Sequence, residues 1–561
     1  MDQLAIDNGK LWHAATLKDA VSPVADVFDA GTLADLVRRS AVRHADRPAV
    51  WIDGGTVLYR ELLDLAAPIA HCLSAAGLAY GTARCAILGN RGLTDYAGII
   101  GALLARCAYV PLNVRHPPGR LTQVMHDAAA AALVVGRDCL DCARLLLSAI
   151  PQPVLVLLPD SIVLPDWAAA MPRHRFIGRA DLPRPHLGSL PQGDPNDGAY
   201  LLFTSGSTGA PKGVLVRNRN VMPYLRSVAA RYALSPHDRC TQLFDLTFDL
   251  SVHDMFLSWG SGAALYRVPD KARFAPRHFV RRHELSTWFS VPSTAAMMLG
   301  MRALRPGDFP SLRLGLFCGE ALPTRLARAF AEAAPNAVIE NLYGPTEATI
   351  ALTAFRLPHD PASFDALPAV VPIGKPLPDQ HALAVNAAGQ PTGEGEEGEL
   401  CLAGSQVTDG YWQRPDLTSQ RFVRFDWDAG GHVWYRTGDR VRSSKEHGLT
   451  FLGRLDRQVK IAGHRVELQE IEAVLHRAAD ANAAAIAWPI GPDGLARDIV
   501  AFIGPTEHQI ADILEACRRA LPSYAVPSAV HLVNDWPVTP SGKTDHARLR
   551  ASLETPTCST T

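Results

Sequence analysis

Between residues 33 and 268 the chain alternates stretches carrying apolar residues at helical spacing with short, nearly continuous apolar runs. The runs at 107–112 and 199–204 have the length of buried strands, and the alternation predicts a layered α/β architecture with largely buried sheets. Residues 173–197 are rich in Pro and Gly and carry little periodicity, which predicts a loop on the approach to the strand at 199. The character changes near Gly453, where residues 453–475 give two short alternating runs and then a helical pattern. A domain boundary is placed there, with a large α/β domain over 1–455, a small α+β domain over 456–550 and a disordered tail over 551–561. In the small domain Thr506 and Gln509 have capping-box spacing, and Ile510, Ile513, Leu514, Cys517 and Leu521 then recur on one helical face, ready to pack on strands such as 499–503.

Composition narrows the class. With 561 residues, 47% hydrophobic and 20% charged, the chain has ample material for sizeable cores. Lys plus Arg (55) nearly balances Asp plus Glu (56), which argues against a nucleic-acid partner held by bulk charge. The apolar stretch at 97–104 stops at Arg106, too short to cross a bilayer, so no membrane association is expected. The 10 cysteines lie scattered behind a start that has no signal-peptide pattern, and they read as reduced thiols of a cytoplasmic protein. Cys139 and Cys142 form a single Cys-x-x-Cys without a second pair at zinc spacing, so they read as ordinary helix or surface cysteines.

The strongest local chemistry follows the strand at 199. Thr204, Ser205, Gly206, Ser207, Thr208 and Gly209 lead to Lys212, a combination suited to cradling phosphate. Glycines let backbone N–H groups converge on an anion, hydroxyls add donors, and the lysine supplies a point charge. It is not a Walker A loop, because Gly209 is followed by Ala-Pro-Lys.

Further along stand Tyr343-Gly344-Pro345-Thr346-Glu347, Tyr435-Arg436-Thr437-Gly438-Asp439, Gly453-Arg454-Leu455-Asp456 and Pro540-Ser541-Gly542-Lys543. Together with the Ser/Thr/Gly run, their order and spacing resemble the adenylate-forming superfamily over nearly the whole chain. Phe248-Asp249-Leu250-Ser251 makes the amino-acid adenylation domains of nonribosomal peptide synthesis the nearest likeness. The resemblance implies ATP and Mg²⁺ as cofactors, with Tyr343 packing on adenine, Asp439 accepting the ribose hydroxyls, Thr346 contacting the α-phosphate and Glu347 holding the metal. Gly344 and Arg454 belong to the same nucleotide set. Lys543 would bridge the substrate carboxylate and the α-phosphate as charge gathers in the transition state. Asp456 would be the pivot about which the small domain turns between two half-reactions, presenting Lys543 in one and a path for a thiol in the other.

The substrate-lining positions carried over from these domains are Asp249, Leu250, His253, Ser290, Leu316, Cys318, Leu342, Ile350, Ala351 and Lys543. Asp249 suits a buried ammonium: at about 4 Å and an effective dielectric of about 20 the gross attraction is on the order of 4 kcal/mol, before desolvation. With Asp249 and Lys543 assigned to the ammonium and carboxylate, no charge remains for the side chain, which implies a small or medium neutral amino acid. Alanine is the first choice, with glycine, serine and proline compatible; His253 and Ser290 are placed to hydrogen-bond a hydroxyl.

The stretch after Lys543 is too short for a carrier domain, so the resemblance implies a free-standing enzyme that loads the phosphopantetheine thiol of a separate carrier protein. Two positions depart from the usual text: Asn113 stands where Asp is common and Ala462 where Arg is common. Both bear on how the domains meet in the second half-reaction. The alternatives are an acyl- or aryl-CoA ligase of the same superfamily, for which a buried Asp249 would lack a counter-ion, and a catalytically silent nucleotide-binding protein.

Overall fold

The computed structural model describes residues 25–554 apart from 79–80, 185–186, 206–210, 274, 491–495 and 540–542. Among the described residues the large unit holds a seven-stranded sheet, a nine-stranded sheet and a five-stranded antiparallel sheet. The first two are mainly parallel, with helices packed between and around them. Strands Ala132–Val135, Leu155–Leu158 and Leu314–Phe317 are buried at every position, which is why they read as continuous apolar runs rather than as alternation. The strands expected at 107–112 and 199–204 are Ala108–Asn113 and Gly198–Thr204. The apolar stretch at 97–104 is the buried end of helix Leu93–Leu104, and no helix among the described residues is long and apolar enough to cross a membrane.

The loop expected over 173–197 is interrupted. Arg175–Gly178 pairs in parallel with Leu155–Leu158 and forms one edge of the seven-stranded sheet. Four residues at an edge are too few for a period to stand out from a Pro/Gly-rich background.

From Gln458 onward the chain builds a separate small unit. Hairpin Gln458–Ile461/His464–Glu467 runs into helix Leu468–Ala479, and a three-stranded sheet of Ala483–Ala487, Ile499–Ile503 and Ala529–Leu532 packs with helix Ile510–Ala520. Its core joins Ile471, Leu475, Ile513 and Cys517. The capping box expected at Thr506 does not form: Gln509 is the N-cap, and the Thr506 hydroxyl donates to the Ala479 carbonyl, tying the loop to the preceding helix. The disordered tail expected from 551 also needs correction, because helix His546–Glu554 runs through residues 551–554 and anchors on the sheet through buried Leu549 and half-buried Leu553. Residues 555–561 lie outside the described residues.

The hairpin of the small unit and the helix that follows it are seated on the large one. Arg120 Nη1 donates to Glu470 Oε1 at 2.9 Å, and the Gly463 N–H donates to Glu320 Oε1 at 2.6 Å. Gly463 has φ +82°, and a Cβ there would lie 2.4 Å from Val291 Cγ1, so both backbone conformation and close approach require glycine.

Candidate functional site

Ligand sites in parallel α/β sheets form beyond the carboxyl ends of the strands. Thr204, Ser290, Phe317 and Tyr343 are the last residues of four strands, and a cavity of about 130 Å³ opens where three of these ends converge, lined by Thr204, Cys318 and Tyr343 among others. The small unit closes it from the opposite side with Gln458, Lys460, Gly463, His464, Arg465 and Tyr524.

At one end of this cavity Tyr343 donates its hydroxyl to Asp439 Oδ2, while Arg454 Nη1 donates to Asp439 Oδ1 at 2.5 Å. A carboxylate has about four acceptor positions, so Asp439 keeps capacity for further donors. Arg454 also grips Asp456 through Nε and Nη2 at 2.8 and 2.6 Å, joining the proposed ribose and pivot residues in one network. Burial works to raise the Asp456 carboxyl, but Arg454 beside it holds it below the usual range. Gly344 is crowded: a Cβ there would meet Ala351 Cα at 2.5 Å.

The residues expected to serve the phosphates gather around Glu347, whose side chain is 0% exposed. Arg465 Nη1 lies 3.0 and 3.1 Å from its two oxygens, and the Tyr411 hydroxyl donates to Oε1 at 2.8 Å. Burial pushes this carboxyl up, yet Arg465 and Lys212 outweigh it and bring it to about 2. Lys212 pairs with Glu467 Oε1 at 3.4 Å, and Ser205 donates to the Arg465 carbonyl at 2.5 Å. Thr204 Oγ1 donates to the Lys212 carbonyl at 3.4 Å, across the antiparallel pair that brings the two ends of the Ser/Thr/Gly run together. Gly206, Ser207, Thr208 and Gly209 lie outside the described residues.

Asp249 also lines the cavity, at the start of the helical segment 250–260, which passes through a π-turn at His253–Leu257. Only 7% of it is exposed, and its Oδ2 is buried without a hydrogen-bond partner. Burial raises its carboxyl to about 7, against opposing hydrogen bonds from the Thr346 side chain and the Ile350 and Leu250 backbone. Leu250 and Cys318 line the cavity beside it, and Leu316, Leu342, Ile350 and Ala351 fill the apolar cluster behind them.

Two polar positions behave otherwise than expected. His253 Nδ1 is hydrogen-bonded to the Tyr224 hydroxyl at 2.7 Å, its ring packs on Phe289, and burial lowers it to about 3, so it is a neutral member of the core. The Ser290 hydroxyl donates to the Val291 carbonyl at 3.1 Å and accepts from Trp288 Nε1 at 3.0 Å. Both groups are engaged by the protein itself rather than offered to a substrate hydroxyl. Lys543 is likewise absent from the lining: it is exposed, on a turn where its N–H donates to Thr539 Oγ1 at 3.2 Å.

Sequence reasoning missed Arg465, Tyr411 and Gln406. Thr349 and Ile350 have φ +56° and +70°, strained values for β-branched residues. Gln406, fully buried, holds that turn through Nε2, which lies 2.8 Å from the Ala351 carbonyl and 3.3 Å from that of Thr349. Nothing local in the sequence marks Gln406, whereas Arg465 sits in the 453–475 run already singled out. Cys139 is buried and Cys142 half-buried, both as free thiols, and the described residues hold no cluster of three metal-binding side chains.

Residues 37–412 match the AMP-binding enzyme family, and residues 470–543 match the AMP-binding enzyme C-terminal domain. The chain belongs to this family. Within it, the chain is an adenylation domain of the nonribosomal-peptide-synthetase type. It is 33% identical over 92% of its length to the L-proline--[L-prolyl-carrier protein] ligase of Streptomyces coelicolor, covering 95% of that protein. The large synthases it matches are much longer than this chain: it spans 34% of phenyloxazoline synthase MbtB of Mycobacterium tuberculosis, to which it is 34% identical over 92% of its own length. Among solved structures, the adenylation domain AlmE of Vibrio cholerae, in complex with glycyl-adenosine-5'-phosphate, superposes with a TM-score of 0.83 at 33% identity, covering 92% of this chain and 97% of that one. The large α/β unit with a small α+β unit is therefore the arrangement expected of this family.

Proposed function

We propose that this adenylation domain activates a small neutral amino acid with ATP, giving aminoacyl-AMP and pyrophosphate, and then transfers the aminoacyl group to the phosphopantetheine thiol of a separate carrier protein. The observation that carries the reading is Asp249 Oδ2: a buried carboxylate oxygen with no hydrogen-bond partner, on a residue that lines the same cavity as Tyr343 and Asp439. A buried carboxyl without a counter-ion is costly, and a substrate ammonium supplies one. Alanine and glycine suit a pocket whose rear wall is closed by apolar side chains; the glycyl ligand of the AlmE structure favours the same size class, and the Streptomyces relative, by its name, takes proline. An acyl- or aryl-CoA ligase would leave Asp249 uncompensated.

In this reading Tyr343 packs on adenine, Asp439 takes the ribose hydroxyls, Thr346 meets the α-phosphate, and Ser205 and Lys212 serve the outer phosphates. Glu347 suits Mg²⁺: it is a single buried carboxylate in a pocket already built to accept a cation, and Mg²⁺ prefers one or two carboxylates completed by phosphate and water. The metal's contribution there is to neutralise phosphate charge. In this reading the observed orientation, with Arg465 on Glu347 and Lys543 outside, would serve the second half-reaction, and rotation near Asp456 would exchange Arg465 for Lys543.

The test is amino-acid-dependent pyrophosphate exchange into ATP across a panel of small neutral amino acids, with fatty and aryl acids as controls. Exchange with one small amino acid, lost in Asp249→Ala, is the expected result. Exchange driven by an acid that lacks an ammonium group would favour the CoA-ligase reading.

A further inference from the structure

A carboxylate buried away from any cation is so costly that the group keeps its proton instead. Asp249 stands in that position: it lines the cavity, its Oδ2 is buried without a hydrogen-bond partner, and among the described residues no cation pairs with it. The guanidinium groups of the lining are committed elsewhere, Arg120 to Glu470, Arg454 to Asp439 and Arg465 to Glu347. Lys460, which also lines the cavity, acts with its charge on Cys318 and Glu320. His116 and His464 are neutral, lowered by burial to about 4 and about 3.

The titratable groups that bear on Asp249 from the elements packed around it add no positive charge. Glu347 is a like charge, burial keeps the phenols of Tyr109, Tyr200 and Tyr224 and the Cys318 thiol protonated, and His253 on its own helix is neutral. Burial raises the Asp249 carboxyl to about 7, so before a substrate binds it holds its proton below neutral pH. A protonated carboxyl offers one donor and an acceptor and carries no charge. An ammonium needs the carboxylate, so a 2-amino acid binds there with loss of the proton. A 2-hydroxyl occupies the same place on the carbon, is neutral, and both donates and accepts, so it completes the carboxylic acid as it stands.

Resting on the amino-acid reading above, we propose that the pocket takes a second class of substrate, small 2-hydroxy acids, whose hydroxyl is held by Asp249 in its protonated form and whose carboxylate is activated with ATP. One carboxylate oxygen of the hydroxy acid forms a bond to the α-phosphorus as the bond from that phosphorus to the oxygen bridging to the β-phosphorus breaks. Pyrophosphate leaves with the electron pair, and the 2-hydroxyl and the Asp249 proton stay where they are. The two substrate classes then divide by pH: the hydroxy acid needs the proton kept and is favoured below about 7, while the amino acid needs it lost and gains as pH rises to that value. An unsubstituted acid of the same size gives Oδ2 nothing, which separates this activity from that of an acyl-CoA ligase.

Pyrophosphate exchange and calorimetric binding would be measured on the full chain with alanine, lactate and propionate, and with glycine, glycolate and acetate, from about pH 5 to about pH 8, for the unaltered protein and Asp249→Asn. The expected result is that the hydroxy acid exceeds the unsubstituted acid by about tenfold below neutral pH, as one hydrogen bond would give, and loses that advantage as pH rises past about 7, while the amino acid shows the opposite trend. Asp249→Asn, whose amide donates at every pH, should keep the preference for the hydroxy acid without pH dependence and lose the amino acid. Near pH 6, in two buffers of different ionisation heat, amino-acid binding should release about one proton and hydroxy-acid binding none. A hydroxy acid no better than the unsubstituted acid at every pH, or a preference that strengthens with pH as the amino acid's does, would overturn the proposal. Absence of exchange with every amino acid would remove the amino-acid reading, while the binding of lactate against propionate still decides whether Asp249 holds a hydroxyl.

Discussion

Arg465 donates to both carboxylate oxygens of Glu347 at 3.0 and 3.1 Å, across 118 residues of sequence and between the two units. The guanidinium thus occupies the acid proposed for Mg²⁺, so under that proposal this orientation and metal-bound ATP would compete for the same oxygens. Arg465→Met takes the guanidinium from buried Glu347 whenever the hairpin docks, leaving it the Tyr411 hydroxyl and the charge of Lys212. Breaking a buried pair in this way costs about 3–5 kcal/mol. The expected outcome is retained pyrophosphate exchange and thioester transfer reduced at least tenfold, read by comparing exchange with loading of a carrier thiol.

Gly463 provides an independent way to block the same docking. Adding a methyl group at φ +82°, 2.4 Å from Val291 Cγ1, is incompatible with the observed seat of the hairpin. Gly463→Ala should leave exchange within about twofold and suppress transfer. Equal loss of both activities would show that the docked orientation also serves adenylation.

Asp249 gives a pH signature. Burial raises its carboxyl from the usual value of 3.8 to about 7. Between those values the folded state holds a proton that the unfolded chain has shed, so this group's contribution to stability falls as pH rises through the window. At about 1.4 kcal/mol per pH unit, the loss amounts to a few kcal/mol at most. Asp249→Asn should therefore melt higher than the parent, with an advantage that grows from pH 5 to 7 and levels off above, while amino-acid activation is lost. A pH-independent advantage would mean that the carboxyl is already ionised across this range.

Lys543 is exposed, and its backbone N–H and carbonyl are hydrogen-bonded to Thr539. Lys543→Ala should leave the melting temperature unchanged and lower adenylation by about two to three orders of magnitude, as for other lost electrostatic donors. Transfer from pre-formed aminoacyl-AMP should persist. Asp456→Pro should show the converse, with exchange kept and transfer lost, and Asp456→Asn separates the pivot from the ion pair with Arg454.

Gln406 supports the strained turn at Thr349 and Ile350. Gln406→Leu would take the donor from the buried Ala351 carbonyl, while the Thr349 carbonyl keeps the Ala351 N–H at 2.9 Å, at about 1–3 kcal/mol for the unsatisfied group. A lowered denaturation midpoint, with substrate binding weakened at Asp249 because the Ile350 N–H is no longer held in place, is the expected reading.

The sequence by itself determined the order of the elements and the chemistry available to them. Strands such as Gly198–Thr204 and the hairpin Gln458–Glu467 were legible because burial along one element leaves a period of two, of 3.6, or a continuous run. The candidate residues were legible because short motifs keep hydroxyls, glycines and charges at fixed spacing. Arg175–Gly178 and the start of the helix at Ile510 were misread because a four-residue edge strand and a cap contact to Ala479 depend on neighbours distant in the chain. Only the tertiary structure decided that Asp249 keeps one oxygen unpartnered, that His253 and Ser290 spend their polar groups on Tyr224 and Val291, and that Arg465 rather than Lys543 faces the site. These are contacts between separate elements, and in the last case between two units. No local pattern encodes such contacts, because each side of them is written in a different part of the chain.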